Sequence, residues 1–142
     1  MMTEQVKVTV IGTHAPGTEQ EDTIKSTCPG QYYEKGDKQY VIFEEEQEGF
    51  SEKVKTMIKF THGRVEITKK GLIRSHMIFE KGVSHETDYY TPYGTMKMAV
   101  DTSSLLLMYT EDYIRMDIEY ELCLGGEERV KSKIVIKIKP AS

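Results

Sequence analysis

Five side chains in this 142-residue sequence combine chemical capability with a place on an apolar strand face: Glu45, Lys69, His85, Tyr89 and Tyr120. A carboxylate, an ammonium, an imidazole and two phenols on one concave surface can grip an anionic head group, and the imidazole can act as a general base. Thr56, Ser75, Thr87, Tyr109 and Ser132 share those faces and add hydroxyls. The same residues also have a structural use. Buried polar groups need partners, so Glu45 and Lys69 can neutralise each other near a barrel mouth while the tyrosines hydrogen-bond to backbone. Glu45 belongs to the set only if Val41 and Phe43 point inward; if Tyr40 and Ile42 do, Glu44 replaces it.

Other chemistry lacks its pattern. His14, His62, His76 and His85 show no HxH or HExxH spacing, and alternation puts His62 in a turn, His76 outward and His85 inward, so no metal is expected. There is no GxSxG, and neither Cys28 nor Cys123 has a neighbouring histidine to activate it. Neither GxGxxG nor GxxxxGK[ST] occurs, so the sequence implies no cofactor and assigns no catalytic residue.

The elements that must position these groups are strands. Period-2 alternation runs almost from end to end, and no window carries a 3.6-residue apolar stripe. The predicted strands are Gln5–Gly12, Asp22–Cys28, Gln31–Glu34, Lys38–Glu46, Lys53–Thr61, Arg64–Lys70, Ile73–Phe79, Val83–Thr91, Gly94–Asp101, Ser104–Thr110, Tyr113–Cys123 and Glu127–Lys139. Thr13–Glu21 reads as a loop and Gln47–Glu52 as a turn or single helical turn.

Hairpin registers follow from matching apolar faces. A His62-Gly63 turn pairs Phe60 with Val65, Ile58 with Ile67 and Thr56 with Lys69, and sets Lys59 against Glu66 on the other face. A Glu80-Lys81-Gly82 loop pairs Phe79 with Val83, Met77 with His85, Ser75 with Thr87 and Ile73 with Tyr89. A Thr102-Ser103 turn lets Met96, Met98 and Val100 meet Tyr109, Leu107 and Leu105. A Leu124-Gly125-Gly126 loop pairs Tyr120 with Val130 and Ile118 with Ser132, with Glu121 facing Arg129, Glu119 facing Lys131 and Asp117 facing Lys133. An antiparallel meander of eight or more one-sided strands removes its edges by closing into a barrel, and a sandwich is the alternative.

Bulk properties narrow the class. The 38% hydrophobic and 30% charged composition describes one soluble domain spanning residues 1–142. A net charge of −4 argues against nucleic acid, and the Lys131, Lys133, Lys137 and Lys139 stripe lacks interleaved aromatics. No run approaches the roughly 20 apolar residues of a membrane helix. Met1–Gly12 has no export-type apolar core, so two reduced thiols and a cytoplasmic location are expected.

The chain resembles the YwiB-like proteins, bacterial β-barrels of unknown function with a calycin or lipocalin-like architecture. The resemblance rests on Gly30-Gln31-Tyr32-Tyr33, Phe43-Glu44-Glu45, Val54 to Lys59, Val65 to Gly71, Phe79 to Gly82, the Tyr89-Tyr90-Thr91-Pro92-Tyr93-Gly94 block, Thr102, and Tyr120 with its glycine-containing final hairpin. It covers Gly30 to the C-terminus. Lys69 stands where the family pattern tends to have Arg, which weakens any bidentate role there. The resemblance implies the barrel and no reaction.

Three functions remain open. The first is small-molecule binding, of an anionic or amphipathic ligand, in a lumen walled by Met98, Leu107, Met116 and Ile118. The second is a solid-cored interaction or structural module working through Tyr32, Tyr33 or Tyr90. The third is an isomerase or hydrolase with His85 as base, and the oligomeric state is open under each.

Overall fold

The structure is a computed structural model and describes residues 4–46, 53–125 and 128–141. Ten strands follow one another: β1 Gln5–His14, β2 Asp22–Lys35, β3 Lys38–Glu46, β4 Lys53–Thr61, β5 Arg64–Lys70, β6 Ser75–Phe79, β7 Ser84–Thr91, β8 Gly94–Thr110, β9 Tyr113–Leu124 and β10 Glu128–Pro140. They form one antiparallel sheet in the order β6-β5-β4-β3-β2-β1-β10-β9-β8-β7. Every sequential neighbour except β6 and β7 is ladder-paired, and β1 also pairs β10, so the meander is wound both ways from its first strand. The two end strands meet through a single bridge, in which Arg74 and Tyr90 exchange two backbone hydrogen bonds of 2.9 Å. The result is an all-β, nearly closed barrel. Among the described residues there is no helix, hence none long and apolar enough to cross a membrane.

The β4–β5 hairpin has the expected register, with Phe60 opposite Val65, Thr56 opposite Lys69 and Lys59 opposite Glu66. Gly63 turns it at φ 93°, a conformation that costs a residue with a Cβ. The Lys59 ammonium lies 3.8 Å from Glu66. Alternation also places Val41 and Phe43 inside, which settles Glu45 rather than Glu44 as the inward acid.

Four expectations need correction. Pro29 does not divide β2. It ends the pairing with β3, which begins at Gly30, while the β1 ladder continues past it to Asp22. Beside it, Gly30 is packed so closely that a Cβ would come 3.0 Å from the Ile42 carbonyl and from a Val8 methyl. Thr102-Ser103 is not a turn but a β-bulge within the 17-residue β8. Apolar parity switches there from Met98, Val100 and Thr102 to Leu105 and Leu107. A bulge flips parity without reversing the chain, so in sequence it mimics a hairpin.

The other two corrections are register shifts of two residues. In β9–β10, Leu124 pairs Glu128, and Tyr120 faces Ser132 rather than Val130. An even shift leaves every side chain on its face, so alternation cannot detect it. The ion pairs move accordingly, with Lys131 opposite Glu121 and Lys133 opposite Glu119. Arg129 still reaches Glu121 at 3.0 Å as a diagonal neighbour. Between β6 and β7 the expected hairpin ladder is missing, and the bridge puts Arg74 opposite Tyr90 where the predicted register put Ile73 opposite Tyr89. The connecting residues bond elsewhere. Val83 N–H donates to the Glu80 carbonyl at 3.0 Å, and Gly82 N–H donates to Thr102 at 2.8 Å. The predicted Gln47–Glu52 turn lies outside the described residues.

The barrel is filled across its middle. Val6, Val8, Val41, Ile58, Phe60 and Phe79 from one wall and Val100, Met116, Ile118, Ile136 and Ile138 from the other belong to one buried cluster. Phe79 packs edge-on against Tyr120 at 5.0 Å, although β6 and β9 are not neighbours. Met116 and Ile118, expected as lumen walls, are buried in this packing, with Leu107 packed partly against it; Met98, also expected there, is buried outside this cluster.

Candidate functional site

Because adjacent strands are antiparallel, all odd-numbered strands finish at one end of the barrel, called here the upper end. Glu45 nearly ends β3 and Lys69 nearly ends β5; Thr56 of β4 lies between these strands, opposite Lys69 and diagonal to Glu45. The Thr56 hydroxyl donates to Glu45 Oε1 at 3.1 Å, and the Lys69 ammonium stands 4.0 Å from Glu45 Oε2. Both carboxylate oxygens are therefore engaged. Ser75 is buried opposite Lys69. The anticipated Glu45–Lys69 pairing is thus present. The Lys69 side chain remains 31% exposed, so a further ligand can reach it.

On the opposite wall one row crosses four strands: Thr102 of β8, Tyr120 of β9, Ser132 of β10 and His14 of β1. All four side chains take the inward face. The Ser132 hydroxyl lies 3.1 Å from His14 Nδ1 and is itself buried. Burial pushes the Tyr120 phenol up to about 12, against a smaller downward pull from the Ser132 hydroxyl beside it. Thr102 Oγ1 is buried and has no hydrogen-bond partner among the described residues. Sequence reasoning named His14 and Thr102 but placed neither among the inward-facing polar groups. The predicted first strand stopped at Gly12; carrying the alternation Val8, Val10, Gly12 two residues further would have found His14.

The remaining expected residues lie apart from both groups. His85 faces inward at the start of β7, but its Nε2 is 3.1 Å from Glu80 Oε1 across the open β6–β7 seam. Tyr89 is half-buried near the upper end of β7, and burial raises its phenol. Tyr109 is at the lower end, where burial also raises its phenol and the Gln39 amide opposes that. Gln39 in turn lies 2.6 Å from the Tyr32 hydroxyl, which is 2.8 Å from Glu34. One phenolic proton cannot serve two acceptors. Tyr32 therefore donates to the carboxylate, and the Gln39 amide turns its NH2 to the phenol oxygen. These groups span the lower mouth from β8 to β2 and β3.

Among the described residues the upper end is open on its inner face. Ile24 of β2 points to the same side as Cys28 and Gly30 yet is 62% exposed. Its register partner Gly12 has nothing within 4 Å of where a Cβ would stand. Ile134 of β10, opposite Gly12, and Val10 are partly buried and pack against the core beneath. Ile24, Gly12 and Ile134 thus form an apolar shelf, with His14 and Ser132 at its outer edge. A separate groove of about 750 Å³ runs over the outer face of β7, β8 and β9, lined by Glu86, Asp88, Lys97, Ala99 and Cys123.

Among the described residues, ten antiparallel strands in one nearly closed sheet around a packed middle define the molecule as a β-barrel protein. The chain belongs to a family described as a domain of unknown function (DUF1934), whose model matches residues 8–138. It is 28% identical over 108 residues to the uncharacterized beta-barrel protein YwiB of Bacillus subtilis strain 168, covering 76% of this chain and 75% of that protein. The crystal structure of the YwiB protein from Bacillus subtilis superposes with a TM-score of 0.85 at 22% identity, covering 99% of this chain and 96% of that one. That likeness establishes the shared fold.

Proposed function

We propose that this barrel binds a small amphipathic molecule in the cup at its upper end, as a calycin or lipocalin-like protein of the bacterial cytoplasm. The observation that carries the reading is the contrast along the inner face. Val6, Val8, Val41, Ile58 and Phe60 are sealed, whereas Ile24 is exposed and Gly12 opens onto free space. An isoleucine on the concave side of a barrel is costly to leave in water, and covering it is worth about 1.5–3 kcal/mol. Because the middle is packed, the cup is shallower than a lipocalin-type lumen. Lys69 supplies a polar contact above the floor, held there by Glu45, while Tyr120, expected as a second contact, is buried against Phe79. The thiols of Cys28 and Cys123 support a reducing compartment. The acids opposite Lys131 and Lys133 weigh against a nucleic-acid partner.

Native mass spectrometry of protein purified from its own host should show a co-purifying small molecule that is lost in Gly12→Phe, which fills the cup. A bare polypeptide mass for both proteins would remove this reading. A second reading, a protein-interaction module, is favoured by the β7–β8 hairpin tip, where Tyr93 is 91% exposed beside exposed Tyr90, Met96 and Leu72.

A further inference from the structure

We propose that the lower half of β8 is a homodimer interface, at which two copies of this chain pair their β8 edges antiparallel about Leu107. The inference is independent of the cup. Ladder pairing of β8 changes along its length. From Gly94 to Asp101 it is paired with β7, and from Met98 to Thr110 with β9. Thr102 is held by the β6–β7 connection, accepting from Gly82 N–H at 2.8 Å and donating to the Val83 carbonyl at 3.4 Å. Ser104 to Thr110 has β9 on one side and, among the described residues, no backbone hydrogen bond on the other.

An open edge is a template for another strand, and edges that stay single carry charge, proline or a bulge. β7, whose seam edge is joined to β6 by one bridge, sets Glu86 and Asp88 on its outer face. The bulge of β8 stops short of the open edge, between Thr102 and Ser104. Beyond it the run Ser104-Leu105-Leu106-Leu107-Met108-Tyr109-Thr110 holds neither charge nor proline. Leu105 and Leu107 turn inward and pack against the core. Leu106 and Met108 point outward and are 61% and 51% exposed.

The run is nearly a palindrome about Leu107, and this identifies the partner as a second copy. A two-fold axis through Leu107 sets Leu106 opposite Met108 of the second copy, twice, on the outer face. It also sets Leu105 opposite Tyr109, and Ser104 opposite Thr110, where two hydroxyls can share a hydrogen bond. A slip of two residues puts Leu106 opposite Thr110 or Met108 opposite Ser104, so apolar matching selects this register. The flanking charges agree with it. Within one sheet Leu106 lies beside Asp117 and Met108 beside Arg115, which bond each other at 2.8 Å. Ser104 lies beside Glu119, and Thr110 beside Tyr113, whose ring carries the Lys139 ammonium at 5.6 Å. Antiparallel pairing continues the Asp117 row of one copy into the Arg115 row of the other, and the Glu119 row into that of Lys139, so opposite charges face across the junction. Glu111 and Asp112 lie in the turn beyond the paired run.

Sedimentation velocity of the full chain across the micromolar range tests the proposal, alongside Leu106→Lys, Met108→Glu, an equimolar mixture of those two, and Tyr93→Ala. We expect the parent chain to form a dimer whose fraction rises with concentration. Leu106→Lys and Met108→Glu should each weaken it at least about tenfold, because each removes two apolar contacts per dimer. Their mixture should dimerise more tightly than either alone. A heterodimer sets the introduced ammonium opposite the introduced carboxylate and keeps one Leu106–Met108 row intact. Tyr93→Ala should dimerise as the parent does. A parent chain that is monomeric at every concentration overturns the proposal and leaves this edge to a strand of another protein. Dimers that persist in both charged variants, or that Tyr93→Ala dissociates, place the interface elsewhere and overturn it as well. Loss of the dimer in each charged variant without rescue by the mixture overturns the pairing centred on Leu107.

Discussion

Tyr120 sits where the apolar core meets the polar row, and its phenol records both. Folding raises its pKa from 10.0 to about 12, chiefly by burial. The folded protein therefore keeps a proton that the unfolded chain loses above pH 10. The associated stability is intact below that value and drains away as pH rises towards 12, by up to about 3 kcal/mol. Burial raises Tyr32, Tyr89 and Tyr109 in the same direction. Thermal melts from pH 9.5 upward (approximately one half-unit below the free phenol) should show a steep alkaline loss that is shallower in Tyr120→Phe; parallel curves would contradict it. The inward placement of Tyr120 and Lys69 was legible from alternation alone, whereas the choice of Glu45 over Glu44 waited on the burial of Val41 and Phe43. Their partners were not. The Tyr120–Ser132 neighbourhood depends on a two-residue register that patterning cannot distinguish, and His14 lay beyond the predicted end of its strand.

At the scale of the element, β8 is the strand whose behaviour departs furthest from its sequence pattern. Its bulge between Thr102 and Ser104 keeps apolar side chains inward on both halves, and Ser103 Oγ donates to the Glu119 carbonyl at 3.1 Å. The arrangement leaves the Thr102 hydroxyl buried without a partner. An unpaired buried hydroxyl is a net cost, so the near-isosteric Thr102→Val should raise stability by roughly 1 kcal/mol, read as a higher urea midpoint at unchanged slope. A lower midpoint would mean that the hydroxyl is satisfied in solution. The β4–β5 hairpin is the contrasting case. Its two-residue turn, apolar pairs and Lys59–Glu66 pair all agree on one register, and the structure has that register. Where several local signals coincide, sequence reasoning reaches the element correctly.

For the whole molecule, the weakest line is the β6–β7 seam. Elsewhere every strand is ladder-paired on both sides, whereas here one bridge, aided by the Arg74 guanidinium 5.4 Å over the Tyr90 ring, joins the ends. Local opening should start where backbone hydrogen bonds are fewest. In native-state hydrogen exchange, amides of Ser84–Asp88 should exchange faster than those of Ile114–Ile118 or Ile134–Ile138, which lie in the continuous β9–β10 ladder. Equal protection would show that the seam is closed in solution by contacts beyond this bridge.

That the chain is built of antiparallel strands, and most of the inward set, were determined by the sequence, because a period of two marks each side chain's face and short polar gaps favour hairpins, although two of the predicted breaks, at Pro29 and at Thr102-Ser103, lie within single strands. Only the tertiary structure decided which rows align across the sheet, that the middle is solid, and that Ile24 on the inner face is left exposed near the upper end. These depend on how far each strand slides along its neighbours before the barrel closes. Slides of two residues conserve every local preference while changing which side chains meet.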